Sequence, residues 1–157
     1  MSDTIWDEHY RKLENMYHGK APINGFFKPT IRISRMEAEV EIPVREDFFH
    51  AARSVHGSVY FKALDDAAFF AANSIVTEVF VLTLTFQLQL TRAIKDGFMT
   101  ARGKVLQNLG NQIIAESVLY DSRGKEAARG SGVFVKSKMP LSPEIGYVLN
   151  RPDESER

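Results

Sequence analysis

The sequence predicts an α+β domain in which an antiparallel sheet of five to six strands wraps around one long central helix, with a short helix ahead of both. An alanine-rich segment near the middle of the chain has the periodicity of a helix. Four segments after it alternate apolar and polar residues and are separated by turn signals. The 157 residues fit one domain that is large enough to bury a core without crosslinks.

The chain divides into a lead helix within residues 1–20, a core over residues 21–138 and a tail over residues 139–157. Aromatic and apolar residues recur at helical spacing in the lead segment, and Gly19 is placed to end the helix. These residues are Trp6, Tyr10, Leu13 and Tyr17. The tail is rich in proline and charge, so we expect it to be partly disordered.

Two strands are predicted ahead of the central helix. The segment from Ile23 to Lys28 reads as a loop or an edge, and Thr30 to Ser34 and Ala38 to Val44 read as extended. In the second strand small and β-branched residues alternate with glutamates, which is typical of a strand with one face in water. A connection from Arg45 to Val55 then leads into the helix.

The central helix carries two adjacent acids with different surroundings. Asp66 lies four residues after Lys62, which predicts an ion pair on a solvated face. Asp65 falls at the edge of the apolar stripe and has no such partner in its own helix. A buried carboxylate without a partner is costly, and a catalytic role is one reason to keep it.

The strand after the helix has an uncharged polar face. Leucines and Phe86 alternate with threonines and glutamines from Leu82 to Thr91, which favours an interface or a cleft on the polar side. Three further strands are predicted, separated by turns, at Phe98 to Gln107, Gln112 to Tyr120 and Ala127 to Val135.

Small residues are placed to let the sheet and the helix approach closely. The helix carries five alanines, and Gly130 and Gly132 lie two residues apart in the last strand. A sheet of this kind leaves an edge strand open, and pairing two copies of the chain edge to edge is a common way to satisfy it.

Composition excludes several classes of function. The 20 basic and 20 acidic residues cancel, so a nucleic-acid partner is not expected. The chain has no cysteine, and its four histidines lack metal-ligand spacing, so we expect neither a metal nor a bound cofactor. The acidic start differs from a secretory signal, and no apolar run has the length of a membrane helix. These features predict a cytoplasmic protein that does not bind membranes.

The segment from His56 to Asp65 resembles a motif of the hotdog-fold acyl-CoA thioesterases, of the phenylacetate-degradation and 4-hydroxybenzoyl-CoA thioesterase type. Those proteins carry His-Gly-Gly followed by an acid nine residues after the histidine, and here His56-Gly57-Ser58 leads to Asp65 at that spacing. The resemblance covers Thr30 to Lys136. It implies a homodimer or a dimer of dimers, acyl-CoA as the ligand, and active sites at the subunit interface.

The resemblance also implies roles for single residues. The backbone N–H of Gly57 polarises the thioester carbonyl, and Asp65 of the other subunit activates water or attacks the carbonyl directly. Thr83 positions the water, and His56 shapes the loop. We expect substrate contacts from five further residues, the last three of which meet the phosphates of coenzyme A: Ser58, Asn73, Arg92, Arg102 and Lys104. Five aromatic residues are candidates for the lining of an acyl tunnel, with core packing as the alternative that explains most of them better: Phe27, Phe69, Phe70, Phe80 and Phe86.

Two positions depart from the family pattern. Ser58 replaces the second glycine, and His50 stands where several relatives have asparagine and could donate a hydrogen bond to the carbonyl. These changes leave open a protein that binds acyl-CoA without cleaving it. A hotdog dehydratase or hydratase fits less well, because its motifs are absent. The preferred acyl group and the choice between a nucleophilic and a general-base mechanism also stay open.

Overall fold

The computed structural model describes residues 2–150. Within these residues, three α-helices and six β-strands follow one another in the order α1 (Asp3–Gly19), α2 (Ile23–Phe27), β1 (Thr30–Ser34), β2 (Glu37–Pro43), α3 (Gly57–Asn73), β3 (Val79–Leu90), β4 (Phe98–Asn108), β5 (Gln112–Tyr120) and β6 (Glu126–Pro140). All strand pairs are antiparallel, and the six strands form one sheet in the order β1-β2-β4-β5-β6-β3. The predicted fold class is confirmed.

The long helix α3 packs on one face of the sheet through its small residues. Its five alanines, Ala63, Ala67, Ala68, Ala71 and Ala72, are fully buried. The closest approach is to Gly103 of β4, where a Cβ atom would lie 2.3 Å from the backbone of Ala67. Only glycine therefore allows α3 to sit this close to the middle of the sheet.

The prediction that Gly130 and Gly132 admit the helix is wrong. A Cβ atom on Gly130 would lie 2.7 Å from the ring of Phe86, and one on Gly132 would lie 2.4 Å from the carbonyl oxygen of Thr85. These two glycines therefore make room for a neighbouring strand and its aromatic ring. The glycine that admits the helix is Gly103.

The segment predicted as a loop or an edge before β1 is the short helix α2. Pro22 has φ −57° at the start of this helix, and Lys28 ends it in the left-handed conformation with φ 52°. The N–H of Lys28 donates to the carbonyl of Asn24, which closes the single turn. One helical turn has too few residues to show a period in the sequence.

The last strand extends five residues beyond its predicted end at Val135. Its extension pairs with the start of β3, where Val79 lies opposite Pro140. The following residues cross α1, where the Asn15 amide donates to the carbonyl oxygens of Val148 and Leu149, both at 2.8 Å. Residues 151–157 of the predicted tail lie outside the described part of the chain.

A β-bulge interrupts β3 between Thr83 and Thr85. Before the bulge Thr83 faces α3, and after it Phe86 does so, with its ring 5.5 Å from that of Phe61. The leucines on the other side are exposed, Leu82 by 49% and Leu84 by 57%. The apolar alternation seen in the sequence therefore does not form one buried face.

The two edges of the sheet differ. Three side chains of α1 bond to the free edge of β1: Arg11 donates to the Ile33 carbonyl at 2.8 Å, Glu14 accepts from the Ile33 N–H at 2.9 Å, and His18 accepts from the Ile31 N–H at 3.1 Å. At the other edge β3 pairs with β6 alone among residues 2–150.

Candidate functional site

The predicted acid Asp65 lies on α3, half-buried, and faces the first half of β3. Its Oδ1 atom accepts a hydrogen bond of 2.9 Å from the hydroxyl of Thr83. The pKa of the Asp65 carboxyl is raised to about 6, chiefly because burial disfavours the charge. The charge of Asp66 acts in the same direction, whereas the Thr83 hydrogen bond and Lys62 oppose the shift. An acid of this strength is ionised at neutral pH and still accepts a proton readily.

Asp65 lines a cleft of about 740 Å³ between α1, α3, β3 and the end of β6. This volume falls within the roughly 300–1,000 Å³ of typical small-molecule sites. The walls are mainly apolar and include Met16, Tyr17, Phe69, Phe70, Phe80 and Leu82. An apolar group placed in this cleft has a carboxyl group at its side.

Asp66 lines the same cleft, and the prediction that it lies on a solvated face is wrong. Its Oδ2 atom accepts hydrogen bonds from Lys62 at 2.7 Å and from the Tyr17 hydroxyl at 2.6 Å. The side chains of Lys62 and Asp66 are only 13% and 15% exposed. The expected ion pair is present, but α1 covers it.

The start of α3 presents an unused backbone donor. His56 caps the helix, because its Nδ1 atom accepts from the Ser58 N–H at 3.0 Å and from the Ser58 hydroxyl at 2.8 Å. Within residues 2–150 the N–H of Gly57 donates to no protein acceptor. A free N–H at a helix N-terminus stabilises negative charge that develops on an oxygen atom.

Gly57 and Asp65 do not meet within one chain. They are eight residues apart on the same helix, which separates them by about 12 Å along its axis. A single thioester carbonyl cannot contact both groups of one copy.

His50 lies in the loop ahead of Gly57. Its Nδ1 atom accepts from the Ala52 N–H at 3.1 Å, so the neutral ring carries its proton on Nε2, which lies 3.1 Å from the Ser54 hydroxyl. The His50 and His56 rings are 6.5 Å apart. Both ring nitrogens of His50 therefore take part in the structure of this loop.

Asn73 is fully buried and does not line the cleft. Its amide donates to the carbonyls of Val76 and Val79, at 3.1 and 3.2 Å, and its Oδ1 accepts from the Val81 N–H at 2.9 Å. These bonds tie the end of α3 to the start of β3. A buried side chain that makes three hydrogen bonds to backbone groups in this way has a structural role.

The three predicted phosphate contacts lie apart from Asp65. Arg102 and Lys104 flank Gly103 and so occupy the sheet face opposite α3, where they pair with Glu39 at 3.1 Å and Glu116 at 3.4 Å. Arg92 follows β3, is exposed, and accepts a hydrogen bond from the Tyr60 hydroxyl through its carbonyl.

The five aromatic residues predicted for an acyl tunnel separate into two groups. Phe69, Phe70 and Phe80 line the cleft. Phe27 packs on neighbouring rings near α2, and Phe86 packs on Phe61. Sequence reasoning did not assign Tyr17 to the site, because only its place on the buried side of the lead helix was visible.

Residues 2–150 hold no group of three or more histidine, aspartate or glutamate side chains that could bind a metal ion. Within the same residues no helix is both long and apolar enough to cross a membrane.

No protein-family model matches this chain. A Saccharolobus solfataricus protein named "Putative esterase" is 28% identical over 111 residues, which cover 69% of this chain and 79% of that protein. The E. coli PaaI protein from the phenylacetic acid degradation operon superposes with a TM-score of 0.76 at 17% identity, covering 85% of this chain and 99% of PaaI. A thioesterase family protein from Silicibacter pomeroyi superposes with a TM-score of 0.72 at 16% identity, covering 82% of this chain and 96% of that protein. The fold is therefore the hotdog fold.

Proposed function

We propose that this hotdog protein hydrolyses acyl-CoA thioesters to a free acid and coenzyme A, at sites formed between two copies of the chain. The observation that carries the proposal is Asp65, a half-buried carboxylate held by one hydroxyl in the wall of an apolar cleft. The fold shared with a thioesterase family protein and the similarity to a protein named as an esterase support it.

In this proposal Asp65 acts on the carbonyl carbon of the thioester. As a general base it takes a proton from water while the water oxygen bonds to that carbon; as a nucleophile it bonds to the carbon itself, and water then cleaves the acyl-enzyme. In both routes the C–S bond breaks and coenzyme A leaves as the thiol. Thr83 holds the carboxylate in place, and the acyl group occupies the cleft.

The second half of the proposed site is the N–H of Gly57 from another copy. It donates to the carbonyl oxygen as negative charge develops there, an interaction that is worth about 100-fold to 1,000-fold in rate. The separation of about 12 Å between Gly57 and Asp65 along α3 supports a shared site. The unpaired edge of β3 supports a homodimer in which this strand meets its copy.

A thiol-release assay with short, medium, long and aromatic acyl-CoAs tests the function. We expect turnover by the wild-type protein and a loss of at least about 100-fold in kcat for Asp65→Asn, which keeps the shape but cannot take a proton. We also expect kcat/KM to fall below about pH 6, where Asp65 becomes protonated. Tight binding of an acyl-CoA without turnover would instead support the non-catalytic alternative, which the changes at Ser58 and His50 favour.

A pair of variants at Gly57 tests the role of its backbone N–H. Gly57→Pro removes the N–H at the first helical position, where proline is tolerated, and His56 already has the extended conformation that precedes proline. Gly57→Ala keeps the N–H and serves as the control. Equal activity of the two variants would remove Gly57 from the mechanism.

Mixing inactive Asp65→Asn with inactive Gly57→Pro tests whether the site is shared. Each mixed dimer has one intact site if the two groups come from different copies. Random pairing then restores about a quarter of the wild-type activity. No recovery in mixtures that are shown to exchange subunits would place both groups in one chain.

A further inference from the structure

A buried network stands beside Asp65. Tyr17 of α1 and Lys62 of α3 both donate to the same Oδ2 atom of Asp66. The Lys62 ammonium also lies 5.4 Å from the centre of the Tyr17 ring and 5.7 Å from that of Phe27. The ammonium thus contacts one carboxylate and two aromatic faces, which hold it in a single place.

This network lies in the wall of the cleft and not on an outer surface. Tyr17, Lys62 and Asp66 line the same space as Asp65. Burying an ion pair has a desolvation cost that its attraction often fails to offset, so such a pair is weak as a device for stability. Its place beside the proposed reacting carboxylate suggests another use.

The two charges of the network act on Asp65 in opposite directions. Asp66 disfavours a second negative charge next to it, and Lys62 favours one. Three more charged groups line the cleft, namely Lys20 directly after α1, Lys138 of β6 and Glu144 of the segment after β6. Burial and the Thr83 hydrogen bond affect the pKa of Asp65 most, and Lys62 and Asp66 are the charged groups that act on it. Removing either one leaves the other uncompensated.

We propose that Lys62 and Asp66, anchored to α1 by the Tyr17 hydroxyl, are positioning residues that set the charge state of Asp65. The catalytic use of that charge rests on the proposed function. The charge state itself does not depend on the proposed function, because the titration of the Asp65 carboxyl can be followed in the absence of turnover. Burial is the chief cause of the raised pKa of Asp65, and the two opposite charges of the pair keep that pKa from moving further up or down.

Titration of the Asp65 carboxyl by carbon-13 NMR, run beside the pH profile of kcat/KM, tests this inference. We expect Lys62→Met to raise the midpoint by about one pH unit and Asp66→Asn to lower it by a similar amount. The double variant Lys62→Met/Asp66→Asn carries neither charge, and we expect its midpoint to return close to that of the wild type. Shifts of the Asp65 midpoint in opposite directions indicate charge setting. Damage to the fold would not shift the midpoint in opposite directions in the two single variants.

The control is the exposed pair Glu126 and Arg129 at the start of β6, far from the cleft. Neutralising either of these residues should leave the Asp65 midpoint unchanged. Shifts of the same sign in both cleft variants, or none, would overturn the proposal. Opposite NMR shifts in a protein without turnover would support the charge-setting role and remove the proposed function. Turnover without these shifts would support the proposed function and overturn the charge-setting role.

Discussion

The two edges of the sheet are treated in opposite ways. At β1, side chains from α1 satisfy two backbone N–H groups and one carbonyl. At β3, no strand of residues 2–150 pairs with the outer side, and Leu82, Leu84 and Leu90 are each about half exposed or more. One edge is covered by side chains of its own chain, and the other presents apolar side chains on a strand whose outer side no strand of residues 2–150 pairs with.

This difference restricts how the chain can assemble. A sheet with two open edges can add copies at both ends and grow without limit, whereas a sheet with one open edge can pair only once, with the same edge of a second copy. The lead helix α1 therefore directs the proposed pairing to β3. Pairing at β3 also brings the N-terminus of α3 close to the second copy, because Leu90 of β3 lies beside Gly57.

The largest effect is expected from a charge on the open edge. Leu84→Lys places two like charges near each other across a β3–β3 contact, so we expect a monomer and a loss of activity at least as large as that of Asp65→Asn. Light scattering coupled to size-exclusion chromatography measures the mass. The control is Leu109→Lys, which changes an equally exposed leucine in the β4–β5 turn. A dimeric, active Leu84→Lys protein would show that β3 is not the interface.

A smaller effect is expected at the closed edge. Glu14→Ala leaves the Ile33 N–H without its acceptor and should lower the free energy of unfolding by about 2 kcal/mol. Glu14→Gln keeps an acceptor. Burial raises the pKa of Glu14, so the folded protein retains this proton to a higher pH than the unfolded chain does, and the ionised carboxylate reduces stability at neutral pH.

The pair of Glu14 variants therefore separates the hydrogen bond from the charge. Denaturant unfolding should show a loss of less than about 1 kcal/mol for Glu14→Gln. With the edge opened, the alanine variant should also form species larger than a dimer as its concentration rises. Equal stability of the two variants would mean that the hydrogen bond to Ile33 contributes little.

The smallest effect is expected at the end of the same edge. His18→Ala removes one acceptor, that of the Ile31 N–H, and should cost about 1 kcal/mol. The bonds from Arg11 and Glu14 remain, so the mass distribution should not change. Thermal unfolding measures the loss of stability, and light scattering measures the mass distribution. An increase in mass would show that a single bond controls this edge.

Much of the fold follows from local patterns. The helical spacing in the lead segment, the alanines of α3 and the turns ending in Gly97 and Gly124 are visible in the sequence, and both glycines have positive φ. Asp65 could be singled out because an acid at the edge of an apolar stripe conflicts with its surroundings. The structure places this residue in the wall of the cleft, and its catalytic role stays a prediction.

The remaining features depend on contacts between distant segments. The four-residue spacing of Lys62 and Asp66 is the same whether the ion pair is exposed to solvent or covered by a second helix. The sequence therefore could not show that α1 covers this pair. The bulge after Thr83 brings Phe86 onto the side of α3 and leaves Leu82 and Leu84 exposed, although the alternation in the sequence is unbroken. Gly103 likewise has no local signature, because its need for a missing side chain comes from a helix more than thirty residues earlier in the chain.

The cleft draws its walls from three stretches of chain that are far apart in the sequence. Met16 and Tyr17 belong to the first, Phe69 and Phe70 to the second, and Met139 and Ile145 to the third. In the unfolded chain the Asp65 carboxyl is in water and has the acidity of an ordinary aspartate. The unusual acid is therefore a product of tertiary packing, and its strength reports whether the distant stretches have come together.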